Sequence, residues 1–175
     1  MKFIKHILLL LLIPVASFGQ TVHIDEDRVV YKGTVKLEQV NKEDIYTRAK
    51  NALLNNVKGG KHEIMEDNKE KIAAKGSIRL SSPYHIVKTV EYILELSVED
   101  GKYKYSIDSV YIKQAERGGK KKKISSEELL KGMEVTGPAS ANTEKQLNEI
   151  DMNFQKLLTL INRDMKEITF AKNPK

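Results

Sequence analysis

Hydrophobic and polar positions alternate through the first part of the chain after Arg28, and the period changes at definite places. Val29, Tyr31, Gly33, Val35 and Leu37 share one side while Lys32, Thr34 and Lys36 take the other. That two-residue period is the signature of a half-buried strand. The period then lengthens. Ile45, Ala49, Ala52, Leu53 and Val57 recur at three and four residues, which predicts an amphipathic helix. Asn41 is placed to cap it, Glu43 and Asp44 favour its positive end, and Gly59-Gly60 stops it. A short strand is expected over His62–Glu66 and a polar turn over Asp67–Glu70. Next comes a strand that turns Ile72, Ala74, Gly76, Ile78 and Leu80 one way and Lys75, Ser77 and Arg79 the other, before Ser81-Ser82-Pro83 interrupts it.

Val87–Glu99 and Lys102–Lys113 flank Asp100-Gly101, a dipeptide favoured in two-residue type I′ hairpin turns. Such a loop sets Glu99 opposite Lys102, Val98 opposite Tyr103, Leu96 opposite Tyr105 and Leu94 opposite Ile107. Ser97 then faces Lys104 and Glu95 faces Ser106, so one face is apolar and aromatic and the other polar. A three-residue loop would put Val98 against Lys102 and mix the faces, so parity selects the shorter turn. Carried along both strands, the same parity gathers Tyr92, Tyr103, Tyr105 and Tyr111 into packing beneath a helix. It leaves Ile93, Val110 and Ile112 as apolar groups on the opposite, open face.

Arg117–Lys123 (RGGKKKK) reads as a flexible basic loop. Ser125-Ser126-Glu127-Glu128 has the form of a capping box, opening a short helix that stops at Gly132. After a loop at Gly137-Pro138, Thr143 and Gln146 cap a final helix reaching about Ile168. Its stripe is Leu147, Ile150, Phe154, Leu157, Ile161, Met165 and Ile168, and a stripe of that length needs the whole sheet as its partner. The order is β-α-β4-α, an α+β domain in which one antiparallel sheet carries both main helices on a single face.

This pattern resembles the secreted bacterial domain of unknown function with a TATA-binding-protein-like (TBP-like) fold, common in Gram-negative gut bacteria. The features that carry the resemblance are VVYKGTVKLE, NKEDIYTRAKNALLNNV, IAAKGSIRL with Gly76, VEYILELSVEDGKYKYSIDSVY and the long last helix, spanning about residues 28–168. The resemblance implies a curved antiparallel sheet and the same β-α-β4-α topology. It implies no activity and no functional residues, and it leaves the basic segment 117–136 without a counterpart.

The ends of the chain bound where it works. Lys2 and Lys5, the apolar run Ile7–Ile13, Pro14, and the small residues Ser17 and Gly19 have the form of a secretory signal cut near Gly19-Gln20. The run is about half of the ~20 residues that span a bilayer. We expect a signal peptide over 1–19, a leader over 20–27, one domain over 28–170 with a basic loop and short-helix insertion at 115–140, and a disordered tail at 171–175. The formal charge of +6 includes Lys2 and Lys5, so the mature chain keeps +4. There is no cysteine, hence no disulfide, no zinc–thiolate site and no residue to carry a lipid anchor. The expected product is exported, periplasmic or secreted, and soluble, without a membrane span.

Candidate chemistry is sparse. His23, His62 and His85 lack the spacing of a zinc-binding helix, and Asp25-Glu26-Asp27 and Glu66-Asp67 lack the spaced ligands of a calcium loop. No G-x-S-x-G elbow occurs, and Gly59-Gly60-Lys61-His62 is not a phosphate-binding loop. No catalytic residue, metal or cofactor is therefore expected, nor nucleic acid, which export removes from reach. The expectation is a non-catalytic module that binds an envelope protein, glycan or lipid. It would use Arg117, Lys120, Lys121, Lys122 and Lys123 in the 117–136 segment, or the open face at Ile93, Val110 and Ile112. The alternative is a carrier that holds a small apolar ligand between the sheet and the last helix.

Overall fold

A computed structural model of the chain describes residues 23–25, 28–57, 63–81, 87–115, 121–133 and 138–167. The expected signal segment, His62, His85, Arg117, Lys120, Ile168 and the tail lie outside the described residues. The strand periodicities become β1 (His23–Asp25), β2 (Arg28–Lys36), β3 (Ile64–Asn68), β4 (Lys71–Leu80), β5 (Lys88–Glu99), β6 (Lys102–Ala115) and β7 (Lys121–Ser125). The helices are α1 (Lys42–Asn56), α2 (Ser126–Met133) and α3 (Pro138–Lys166). Two strands are additions to the expected order. The leader contributes β1, paired antiparallel with the start of β2, and the end of the basic run forms β7 instead of a loop.

Local chemistry sets the helix ends. The Asn41 carboxamide oxygen accepts the Asp44 N–H at 2.9 Å, so Asn41 caps α1 as its type predicts. The C-cap Val57 donates its N–H to the Leu53 carbonyl at 2.9 Å, closing the helix before the two glycines. Ser125 Oγ accepts the Glu128 N–H at 3.2 Å, the first half of the capping box of α2. The last helix starts at Pro138, ahead of Thr143, because a proline's missing N–H costs nothing in a first helical turn.

The sheet runs in the order β1-β2-β6-β5-β4-β3, with every described pair antiparallel and β7 joining β6. The hairpin register is the expected one from Glu99↔Lys102 to Leu94↔Ile107. Its turn differs in type. A type I′ turn needs left-handed φ at both central residues, and only Gly101 has it, at +70°. Tertiary contacts hold this turn. The Asp100 carboxylate accepts the Lys42 N–H at 2.7 Å, Gly101 donates its N–H to the Val40 carbonyl at 2.9 Å, and the Leu37 N–H donates to the Gly101 carbonyl at 2.8 Å. The hairpin tip is thus clasped to the start of α1.

A bulge overturns the expected parity of β6. Ile93 pairs with Asp108 but Glu91 pairs with Tyr111, so β6 carries one extra residue, and Ser109 takes a left-handed φ of +51°. Every side chain beyond it changes face. Val110 (3% exposed) and Ile112 (0%) are core residues and not members of an open face, while Tyr111 leaves the core face. Of the three expected surface groups only Ile93 stays outside, half-buried.

Ile45, Ala49, Ala52 and Leu53 of α1, with Ile150, Phe154, Ile161 and Met165 of α3, bury against Ile72, Leu94, Leu96 and Ile107 of the sheet. Phe154 has Tyr31 and Tyr92 edge-on to its ring, with centroids 5.1 and 5.0 Å away. Leu129 brings α2 into the same core. Both main helices therefore lie on one face, and the other face carries the half-exposed polar rows of the strands. Among the described residues no helix is long and apolar enough to cross a membrane.

Candidate functional site

The bulge and β7 together build a charged cluster on the uncovered face. Glu91 of β5 lies at its centre with its side chain 14% exposed. Lys113 of β6 reaches it at 2.6 Å and Lys75 of β4 at 3.1 Å, and the Tyr111 hydroxyl, turned outward by the bulge, donates to it. Burial works against the charge on Glu91, but hydrogen bonds from Lys113, Tyr111 and Lys75 outweigh it and hold the carboxyl down at about 2. The Tyr111 phenol is raised, chiefly by its bond to that carboxylate and then by burial.

From the other side, β7 delivers Lys123, whose ammonium stands over the Tyr111 ring at 3.7 Å from the centroid. Lys113 and Lys123 are direct cross-strand partners, an arrangement that repels unless an anion lies between them. Two cations from two strands thus bond one carboxylate, and a third, from β7, covers the phenol beside it. Elsewhere on the face the charges balance more closely. Lys71 bridges Glu95 at 2.8 Å and Glu66 at 3.1 Å, and Glu99 takes Lys104 at 2.6 Å and Lys102 at 2.8 Å.

The expected basic residues divide. Lys123 is in the cluster, Lys122 is exposed and 3.6 Å from Glu128, and Lys121 pairs in register with Ala115. Ile93 lies in the adjoining row of the sheet, between Lys75 and Asp108. Lys75, Glu91, Tyr111 and Lys113 were not among the expected site residues. The signal for them is the pair Asp108-Ser109, two polar residues in succession after which apolar positions resume out of phase at Val110 and Ile112.

Beside the cluster the sheet splits. β2 leaves β6 at Tyr31↔Ile107 and β7 begins at Tyr111↔Ser125, which opens a cleft of about 560 Å³ between them. Beneath α3, where an apolar ligand would lie, Phe154 is 0% and Ile161 1% exposed, with the Tyr31 and Tyr92 rings packed against Phe154. A second cleft, of about 420 Å³, touches Leu157 and Tyr92 but is otherwise walled largely by polar side chains such as Asn55, Asn56, Arg79 and Asn153. Among the described residues no three His, Cys, Asp or Glu side chains are grouped to hold a metal ion.

Residues 31–113 match the model of the domain of unknown function (DUF4468) with TBP-like fold. Two solved structures share the architecture. A TBP-like protein from Parabacteroides distasonis is 11% identical, with a TM-score of 0.60 over 81% of this chain and 97% of that one. A DUF4468 family protein from Bacteroides ovatus is 16% identical, with a TM-score of 0.62 over 88% and 95% of the two chains. At these identities the likeness is one of fold, and the fold is TBP-like. No curated protein matches the chain. The matched segment ends at Lys113, so β7 and Lys123 lie beyond it.

Proposed function

Taking residues 31–113 as a DUF4468 segment on a TBP-like fold, we propose that the chain is an exported, non-catalytic binding module that meets an acidic envelope partner through its uncovered sheet face. One observation carries the reading. Lys121–Lys123, the end of the basic run, adjoin the open face, a separate candidate in the sequence, because β7 is hydrogen-bonded to β6 and places Lys123 over Tyr111. Lys75 and Lys113 share the Glu91 carboxylate and Lys123 adds a third cation over Tyr111, so that end of the face keeps a positive excess and attracts anions. The pattern of residues 1–19 supports export, which also separates the protein from nucleic acid.

The test uses residues 20–175, titrated with dextran sulfate at rising salt. Saturable binding that weakens with salt is expected, and Lys113, Lys122 and Lys123 all changed to Ala should weaken it at least tenfold. Unaltered binding by that variant would overturn the assignment of the surface. Expression of the full chain in a Gram-negative host should yield an envelope protein beginning at Gln20, and a cytoplasmic product retaining Met1 would overturn the export.

A further inference from the structure

The cleft between β2 and β7 has a composition that the binding of an acidic polymer leaves unexplained. Between Ile107, paired with Tyr31, and Tyr111, paired with Ser125, β6 runs for Asp108, Ser109 and Val110 with no register partner on that side among the described residues. Ser109 sits there with a left-handed φ of +51°, a conformation that a residue with a Cβ seldom adopts. Such strain and such bulges concentrate where a side chain or a stretch of backbone must be re-aimed toward a ligand.

The walls carry two kinds of polar group. Arg28, Lys32 and Lys123 supply cations, and Asp108 and Glu127 supply carboxylates. Arg28 Nε lies 3.7 Å from a Glu127 carboxylate oxygen, and both side chains are partly exposed to the cleft. Ser109, Ser125 and Ser126 line the same space, and the side chains of Ser125 and Ser126 hydrogen-bond the Glu127 carboxylate. Cations on one ligand group and carboxylates with hydroxyls on another select a molecule that is both anionic and rich in hydroxyl donors. The volume of about 560 Å³ is that of an ordinary small-molecule site.

We propose that this split in the sheet is a binding site for an anionic sugar, a phosphorylated or carboxylated mono- or disaccharide unit. Arg28, Lys32 and Lys123 face the anionic group, and Asp108, Glu127 and the bulge at Ser109 face the hydroxyls. The site needs neither export nor a polymer partner; it shares Lys123 with the open face, and Arg28, which belongs to the cleft alone, tests it separately.

Amide NMR titrations of residues 20–175 test it with glucose 1-phosphate, glucuronate, maltose and inorganic phosphate. Saturable shifts at Asp108–Tyr111 and Ser125–Glu127 are expected with glucose 1-phosphate or glucuronate, and the stronger of the two tells phosphate from carboxylate. Maltose and inorganic phosphate should each bind at least tenfold more weakly. Arg28→Gln should weaken the preferred sugar about tenfold, whereas Lys145→Ala, on α3 and outside both the cleft and the open face, should leave it unchanged, and the spectra themselves report that both variants fold. Shifts confined to other residues, or none up to millimolar ligand, would overturn the site. Equal binding of maltose would overturn the anion preference, and equal binding of inorganic phosphate would overturn the sugar.

Discussion

Two hydrogens decide where two tyrosines lie. Gly76 faces Tyr92 across β4 and β5, and Gly33 faces Tyr105 across β2 and β6. In each case a Cβ on the glycine would overlap the hydroxyl end of the tyrosine ring, so the ring lies across a strand that has no side chain there. The consequences differ with burial. Tyr92 is 2% exposed and held against Phe154, with nowhere to go. Tyr105 is half-buried and can swing toward solvent. Gly76→Ala should therefore cost about 1–3 kcal/mol of overpacking. Gly33→Ala should come close to neutral, because the lower entropy of its unfolded chain offsets about 0.4–1 kcal/mol. Urea unfolding of both variants checks the ranking, and an unaltered midpoint for Gly76→Ala would show that the ring is not confined.

At the scale of elements, β6 holds the lesson. Its first half obeys the parity of the hairpin and its second half obeys the opposite parity, because one residue was inserted between them. The switch is written in the chain as Asp108-Ser109 followed by Val110 and Ile112. Strict alternation is the simpler pattern, and it hid the break. Deleting Ser109 would restore the unbroken register and drive Val110 and Ile112 from the core to the open face. Each apolar side chain exposed in this way costs about 1.5–3 kcal/mol. Against the roughly 5–15 kcal/mol of a typical domain, that is a large loss. The deletion variant should melt far below wild type. Ser109→Gly keeps the bulge and relieves the left-handed strain, so it should melt at or above wild type. A deletion variant that melts with wild type would mean the bulge does not set the register.

For the whole molecule, the charged face couples stability to pH. The folded carboxyl of Glu91 is held at about 2 against an ordinary 4.5, since hydrogen bonds from Lys113, Tyr111 and Lys75 overcome its burial. A lowered folded value means stabilisation that is complete above pH 4.5 and disappears as the pH falls toward 2. Glu99, also near 2 through its bonds to Lys102 and Lys104, titrates in the same window but is exposed at the hairpin end. The Glu91→Gln variant separates the two. It should be less stable than wild type at neutral pH, and the gap should close as pH falls through that window. A gap constant from pH 7 to pH 2 would remove Glu91 from the account. The same cluster ties β4, β5 and β6 to one another, so its protonation acts on the sheet as a unit.

Whatever depends on neighbours in the chain was legible in the sequence. The Asn41 cap, the stripe from Ile45 to Val57, the Asp100-Gly101 loop and its register, and the Leu147–Met165 stripe all follow from spacing alone, because helix and strand periods are local properties of the backbone. The tertiary structure decided what distant segments do together. It turned the Lys121–Ser125 run into a strand by offering it the free edge of β6, and it held the hairpin tip through Lys42 and Val40. It also chose which side of the sheet Tyr111 and Val110 would face, because a bulge is stable only where the core rewards the change of parity. The candidate surface was therefore half readable. Lys122 and Lys123 were visible in a charge run, whereas Lys75, Lys113 and the carboxylate and phenol between them came together only once four strands were side by side.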